Sequence, residues 1–115
     1  MKEPESYVRV AKFADLLDGS SMAVEVAGKS VLLCHTRGRV FAVSNQCSHA
    51  GEKLERGCVR NGWVSCPLHG ARFELQTGRA MNPPAVRPIA TYPVRIRDEW
   101  IEVGVDSAAQ RGAVG

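Results

Sequence analysis

The stretch Cys47-Ser48-His49-Ala50-Gly51, answered by Cys66-Pro67-Leu68-His69-Gly70 with sixteen residues between His49 and Cys66, decides how this chain is read. Each half supplies one thiol and one imidazole, so two loops together offer two sulfur and two nitrogen donors. C-x-H followed by C-x-x-H has the spacing of a metal site, because each short interval lets one loop aim two side chains at a single centre. Between the halves, Asn61-Gly62 joins the β-prone pieces Cys58-Val59-Arg60 and Trp63-Val64-Ser65. Asn-Gly in that setting is the strongest short hairpin signal, and a hairpin there brings the two ligand loops side by side.

Outward from this centre the chain reads as strands. Tyr7 to Phe13 alternates with period two, Ala14 to Ser20 reads as a turn, and Met22 to Ala27 alternates again before a corner at Gly28-Lys29. Ser30 to Thr36 and Val40 to Val43 follow, joined by Arg37-Gly38-Arg39. Beyond the second ligand loop come a short strand at Arg72 to Leu75 and a turn at Gln76-Thr77-Gly78. A segment stiffened by Pro83-Pro84 and Pro88 leads to two strands, Ile89 to Arg97 and Trp100 to Val105. The expected fold class is all-β: an antiparallel sandwich or barrel base, residues 1–44 and 84–108, carrying an inserted ligand-bearing subdomain, residues 45–83. One domain thus spans 1–108, and the small, polar stretch 109–115 reads as a flexible tail.

With 115 residues, a single domain of modest core is expected, at a size where a metal centre helps. Fifteen Lys and Arg against twelve Asp and Glu leave only +3, with no long basic run, so nucleic-acid binding has no support. No apolar run approaches the roughly 20 residues that a membrane span needs. The charged start Met1-Lys2-Glu3-Pro4-Glu5 has no apolar segment behind it, which predicts a soluble cytoplasmic protein. Four cysteines without a secretion signal favour metal ligation over disulfides.

The two ligand loops, their flanking glycines and the Pro83-Pro84 loop resemble the Rieske [2Fe–2S] ferredoxins over nearly the whole chain. The resemblance implies one [2Fe–2S] cluster, with Cys47 and Cys66 on one iron and His49 and His69 on the other. Two imidazoles in place of two thiolates leave the oxidised centre neutral rather than doubly negative, which raises its potential relative to all-thiolate clusters. It also implies that the histidine-ligated iron lies at the protein tip, partly covered by the Pro83-Pro84 loop. The sequence departs from the respiratory members of the family, which carry a disulfide and sulfur-directed Ser and Tyr hydroxyls. Glu52 and Leu68 stand at the disulfide positions, and Ala71 and Phe73 at the hydroxyl positions. A potential toward the low end of the Rieske range is expected.

Three histidines, two of them committed, cannot also build a mononuclear iron site on two His and a carboxylate. No G-x-G-x-x-G follows a strand, so a dinucleotide site is not expected either. What remains is a carrier without catalytic residues. The resemblance is to the ferredoxin components of bacterial aromatic-ring-hydroxylating dioxygenase systems, such as those for biphenyl, toluene or carbazole. It implies a monomer passing electrons from a flavin-containing NAD(P)H reductase to a terminal oxygenase. The alternatives are a Rieske-like small subunit of assimilatory nitrite reductase, which commonly lacks some ligands, and a zinc-stabilised interaction module. Zinc fingers usually pair Cys with Cys and His with His, whereas each loop here mixes them.

Elsewhere, Cys34 after Val31-Leu32-Leu33 reads as a buried small hydrophobe, and Cys58 as a core or hairpin residue. His35 reads as a surface residue, and Trp63 and Trp100 as packing residues. Lys53 and Arg72, three or four residues from the ligand histidines, either face a docking partner or are simply solvated.

Overall fold

The computed structural model describes residues 6–48, 53–67, 70–82 and 87–105. Its ten strands are β1 (Ser6–Lys12), β2 (Ser21–Val26), β3 (Lys29–Thr36), β4 (Arg39–Ser44), β5 (Val59–Arg60), β6 (Trp63–Ser65), β7 (Arg72–Glu74), β8 (Thr91–Tyr92), β9 (Val94–Arg97) and β10 (Trp100–Val105). They form three antiparallel sheets, ordered β1-β10-β9, β2-β3-β4-β8 and β5-β6-β7. The only helical pieces among the described residues are single 3-10 turns at Phe13–Asp15 and Leu54–Arg56. The all-β expectation holds.

Four of the hairpins turn on two residues with positive φ: Ala27-Gly28, Arg37-Gly38, Asn61-Gly62 and Asp98-Glu99. That pair of left-handed residues matches the twist of the flanking strands. The Asn61-Gly62 hairpin is therefore where its sequence places it, with Val59 opposite Val64.

Strand β3 explains the architecture. Val31, Leu32, Leu33 and Cys34 are all buried, without alternation, which is the mark of a strand covered on both faces. Val31 and Leu33 pack with Leu16, Val26, Ala42, Ile101 and Val103, between the first two sheets. Leu32 and Cys34 join Val43, Leu54, Val64, Phe73 and Leu75, between the second sheet and the third. The two faces of one strand thus link the base to the part that carries the ligand loops.

Two expectations need correction. The stretch Ile89 to Arg97 is not one strand: it breaks at Pro93 into β8, which pairs with β4, and β9, which pairs with β10. Proline has no N–H to give a ladder, and the chain changes sheets there. Residues 14–20 do form a turn, beginning inside the 3-10 turn Phe13–Asp15, and they bury Leu16 in the core. His35 is buried rather than exposed: its Nδ1 donates to the Leu16 carbonyl at 2.8 Å. The carbonyl can only accept, which fixes the proton on Nδ1. The His35 backbone closes the same loop, accepting from Gly19 N–H and donating to the Ser20 carbonyl.

Cys34 is buried as expected, and burial pushes its thiol up to about 12. Cys58 lies exposed at the foot of the β5–β6 hairpin and has no place in the core. A thiol reagent at pH 8 is expected to label Cys58 in the native protein and to reach Cys34 only after unfolding; peptide mapping of the labelled protein checks this.

On the first sheet, Glu102 of β10 is buried between Arg95 of β9 (2.6 Å) and Arg9 of β1 (3.2 Å). The Arg95 hydrogen bond above all, with that of Arg9, holds its carboxyl below the usual range, against the opposing effect of desolvation. A lowered folded-state value means the pair stabilises above the ordinary carboxylate pKa, and that this is lost as pH falls through the lower folded value. Glu102→Gln should therefore melt below the wild type at neutral pH, with the two melting curves converging as the solution is acidified.

Candidate metal centre

The first ligand loop leaves the sheet at the end of β4 and is closed at its neck by Asn45. The buried Asn45 amide donates to Ser30 Oγ (3.0 Å) and Glu55 Oε1 (2.7 Å), and its oxygen accepts from the Glu55 N–H (2.9 Å). Its backbone carbonyl accepts from the Leu54 N–H, and a bridge pairs Gln46 with Lys53. Residues 46 and 53 are thus held opposite one another, so that Cys47 starts from a fixed point. Asn45→Ala removes three side-chain hydrogen bonds and leaves a gap where a buried amide stood, at a cost of about 2–4 kcal/mol. The variant is expected to fold less stably and to retain less iron per chain, read from denaturant titration and iron analysis.

The second loop is built on the β6–β7 hairpin, in which Ser65 lies opposite Arg72. Just beyond that pair, the Cys66 N–H donates to the Ala71 carbonyl at 2.6 Å, closing a loop over residues 66–71. Gly70 has φ +68, a conformation glycine adopts without the penalty of a Cβ. Asn82 braces this loop from outside: its Oδ1 accepts from the Arg72 N–H (2.9 Å) and its Nδ2 donates to the Gly70 carbonyl (3.5 Å). Across the site, the Ser48 hydroxyl donates to the Arg87 carbonyl at 2.6 Å.

The bases of the two loops meet. The 3-10 turn Leu54–Arg56 runs into Gly57, whose Cα hydrogens face the Ser65 carbonyl immediately before Cys66. Leu54, Cys47 and Cys66 belong to one apolar cluster with Ala71 and Phe73, and each cysteine is 1% exposed. None of the four cysteines is in a disulfide. The structure therefore brings together the two sulfur donors that the sequence singled out. His49, His69, Glu52, Leu68 and the Pro83-Pro84 loop lie outside the described residues, and so does the stretch 109–115. Among the described residues no three His, Cys, Asp or Glu side chains converge on a common point.

Two soft thiol donors, screened from water and rooted in adjacent loops, fit an iron–sulfur cluster. Thiolates buried in apolar surroundings without a cation are unfavourable, and coordination removes that cost. Asn45 and Asn82 were not singled out from the sequence. An asparagine after a strand reads as an ordinary turn residue, and only the fold shows what its amide reaches.

An all-β fold with two cysteine-bearing loops at one end of a shared core defines a cluster-binding domain. A family model described as the Rieske [2Fe–2S] domain matches residues 6–93, and the chain belongs to that family. It is 39% identical over 101 residues to the 3-phenylpropionate/cinnamic acid dioxygenase ferredoxin subunit of Photorhabdus laumondii, covering 87% of this chain and 95% of that one. It is 33% identical over 92 residues to the ferredoxin component of the naphthalene 1,2-dioxygenase system of Pseudomonas putida, covering 80% and 88% respectively. Among solved structures, the ferredoxin of carbazole 1,9a-dioxygenase from Nocardioides aromaticivorans IC177 superposes with a TM-score of 0.84 at 34% identity. The match covers 89% of this chain and all of that one. The cofactor of this chain is one [2Fe–2S] cluster.

Proposed function

We propose that this protein is a one-electron carrier, the ferredoxin component of an aromatic-ring dioxygenase system, and not itself a catalyst. It would receive electrons from a flavin-containing NAD(P)H reductase and deliver them to a terminal non-haem iron oxygenase. The observation that carries this reading is the pairing of the buried Cys47 and Cys66 at the roots of adjacent loops, in a fold that covers a dioxygenase ferredoxin from end to end. Cys47, His49, Cys66 and His69 are the proposed ligands, within a module over residues 45–83 set on a base formed by 1–44 and 84–108. When bound, the cluster supplies reversible one-electron storage at a potential set by its ligands and surroundings.

The residues of the chain then have three tasks. Asn45 and Asn82 fix the loop geometry, so that oxidation and reduction require little rearrangement. Leu54, Val64, Ala71 and Phe73 keep water from the sulfur side. The side of the cluster proposed to be held by His49 and His69 would be left for partners, and brief exchange with two partners in turn calls for small, transient interfaces. No described helix is long and apolar enough to cross a membrane. The proposed carrier is cytoplasmic and monomeric.

The test is direct. Anaerobically purified protein should be coloured, give a Rieske-type EPR signal on reduction, be reduced by NADH through a candidate flavin reductase, and be reoxidised by a candidate oxygenase with its aromatic substrate. A colourless protein holding stoichiometric zinc, or a cluster that exchanges electrons with no such pair, would overturn the reading.

A further inference from the structure

A second recognition surface lies on the flank of the β5-β6-β7 sheet, with Arg72 at its margin over Trp63, and it rests on the carrier reading above. Where the β3–β4 turn, the β5–β6 turn and β7 meet, a cleft of about 330 Å³ is lined by Arg37, Arg39, Phe41, Trp63, Glu74 and Met81, among others. Its two aromatic rings each carry a guanidinium: Arg39 lies 5.2 Å from the centre of the Phe41 ring, and Arg72 lies 5.2 Å from that of Trp63. Arg37, on a left-handed backbone, reaches across to the Asn61 carbonyl at 3.5 Å. The nearby carboxylates are engaged elsewhere. Glu74 accepts from Thr77 Oγ1 (2.7 Å) and pairs with Arg79 (3.6 Å), while Asp18 accepts from the Gly38 N–H. No described carboxylate forms an ion pair with Arg37, Arg39 or Arg72.

We propose that this cleft is the docking site for the acidic face of an electron-transfer partner protein, whose Asp and Glu side chains pair with Arg37, Arg39 and Arg72. A guanidinium stacked on a ring has already lost much of its freedom, yet keeps its in-plane donors for a carboxylate, which it meets in a two-point fork. The position suits electron transfer. Arg72 lies opposite Ser65, next to Cys66, and its N–H is held by the Asn82 that braces the second ligand loop. A partner seated on the three arginines is thereby set against the wall of the cluster module, and the same charges steer its approach.

Octaglutamate serves as the probe, titrated by calorimetry into the cluster-loaded protein at low salt. The wild type should bind it, and Arg39→Glu with Arg72→Glu should weaken binding by at least about tenfold. Lys12→Glu with Arg97→Glu makes the same change in net charge on the first sheet and should leave binding near wild type. Arg39→Gln with Arg72→Gln, which keeps side-chain bulk, should fall between the charge-reversed pair and wild type, and stands in should the reversed pair lose its cluster. No binding by wild type, binding unmoved by the cleft substitutions, or equal loss in both charge-reversed pairs would each overturn the proposal. The visible spectrum and reversible reduction of the same samples report the carrier reading separately: an irreducible protein that still binds the peptide refutes that reading and not the cleft.

Discussion

Replacing Ala71 by Ser and Phe73 by Tyr together is expected to raise the reduction potential of the protein. Both side chains are fully buried in the cluster of residues that contains Cys47 and Cys66, and neither carries a polar atom. The sulfur side of the site is thus walled by hydrocarbon, and the added negative charge of the reduced state gains no side-chain hydrogen bond from these two positions. A hydroxyl donating toward sulfur favours the reduced form more than the oxidised one, because a donor binds the more negative acceptor more strongly. A preference of about 1.4 kcal/mol corresponds to about 59 mV for one electron, so one to two effective bonds give roughly 60–120 mV. That is a sizeable part of the range of about −150 to +300 mV open to Rieske centres. Ala71→Ser is the gentler half, adding one oxygen at a residue whose carbonyl already holds the Cys66 N–H. Phe73→Tyr must place an oxygen in a filled core, and some loss of stability is expected beside the gain in potential. Protein-film voltammetry decides: a potential that stays constant or falls in the double variant refutes the expectation that hydroxyls at these two positions favour the reduced form.

How much of this was legible in the sequence varied with the range of the interaction. The Asn61-Gly62 turn and the two cysteines are local signals, and the structure has them where the sequence places them, since two residues suffice to fix a tight turn. The strand through Val31 to Cys34 was legible as a strand, but not as the element shared by two cores, because an unbroken apolar run says only that both faces are covered. His35 was misread for a related reason. A lone polar residue looks like surface until the loop that wraps it is known, and Leu16, which supplies its acceptor, is nineteen positions away. Asn45 and Asn82 were illegible because their partners come from other loops, Glu55 and Ser30 for one, Gly70 and Arg72 for the other. The two cysteines could be singled out from the sequence, while the residues that hold them in place emerged only from the fold.

The residue on which that holding depends most is Gly57, and Gly57→Ala is expected to remove the site. Its φ of −90° is one that any residue adopts, so the substitution brings no strain from the backbone itself. The difficulty is space: an added Cβ would overlap the Ser65 carbonyl oxygen and press on its carbon at 2.8 Å. Neither neighbour can yield freely. The Gly57 N–H is held by the Leu54 carbonyl, with Leu54 fully buried, and the Ser65 N–H is held by the Cys58 carbonyl, with Cys66 fixed just beyond by Ala71. Relief therefore requires the base of the first ligand loop to move away from that of the second, which separates Cys47 from Cys66. Overpacking against fixed backbone should cost about 3 kcal/mol or more. The proper comparison is Gly28→Ala, where φ is +80° but nothing lies within 4 Å of the added carbon; there only the left-handed penalty of about 1 kcal/mol applies. Gly28→Ala should keep a full complement of iron and sulfide with a small drop in melting temperature. Gly57→Ala should melt much lower and purify with little colour, even after anaerobic reconstitution. Wild-type iron content in Gly57→Ala would show that the two loops can separate at their roots and still share a cluster, and would remove Gly57 from the set of residues that define the site.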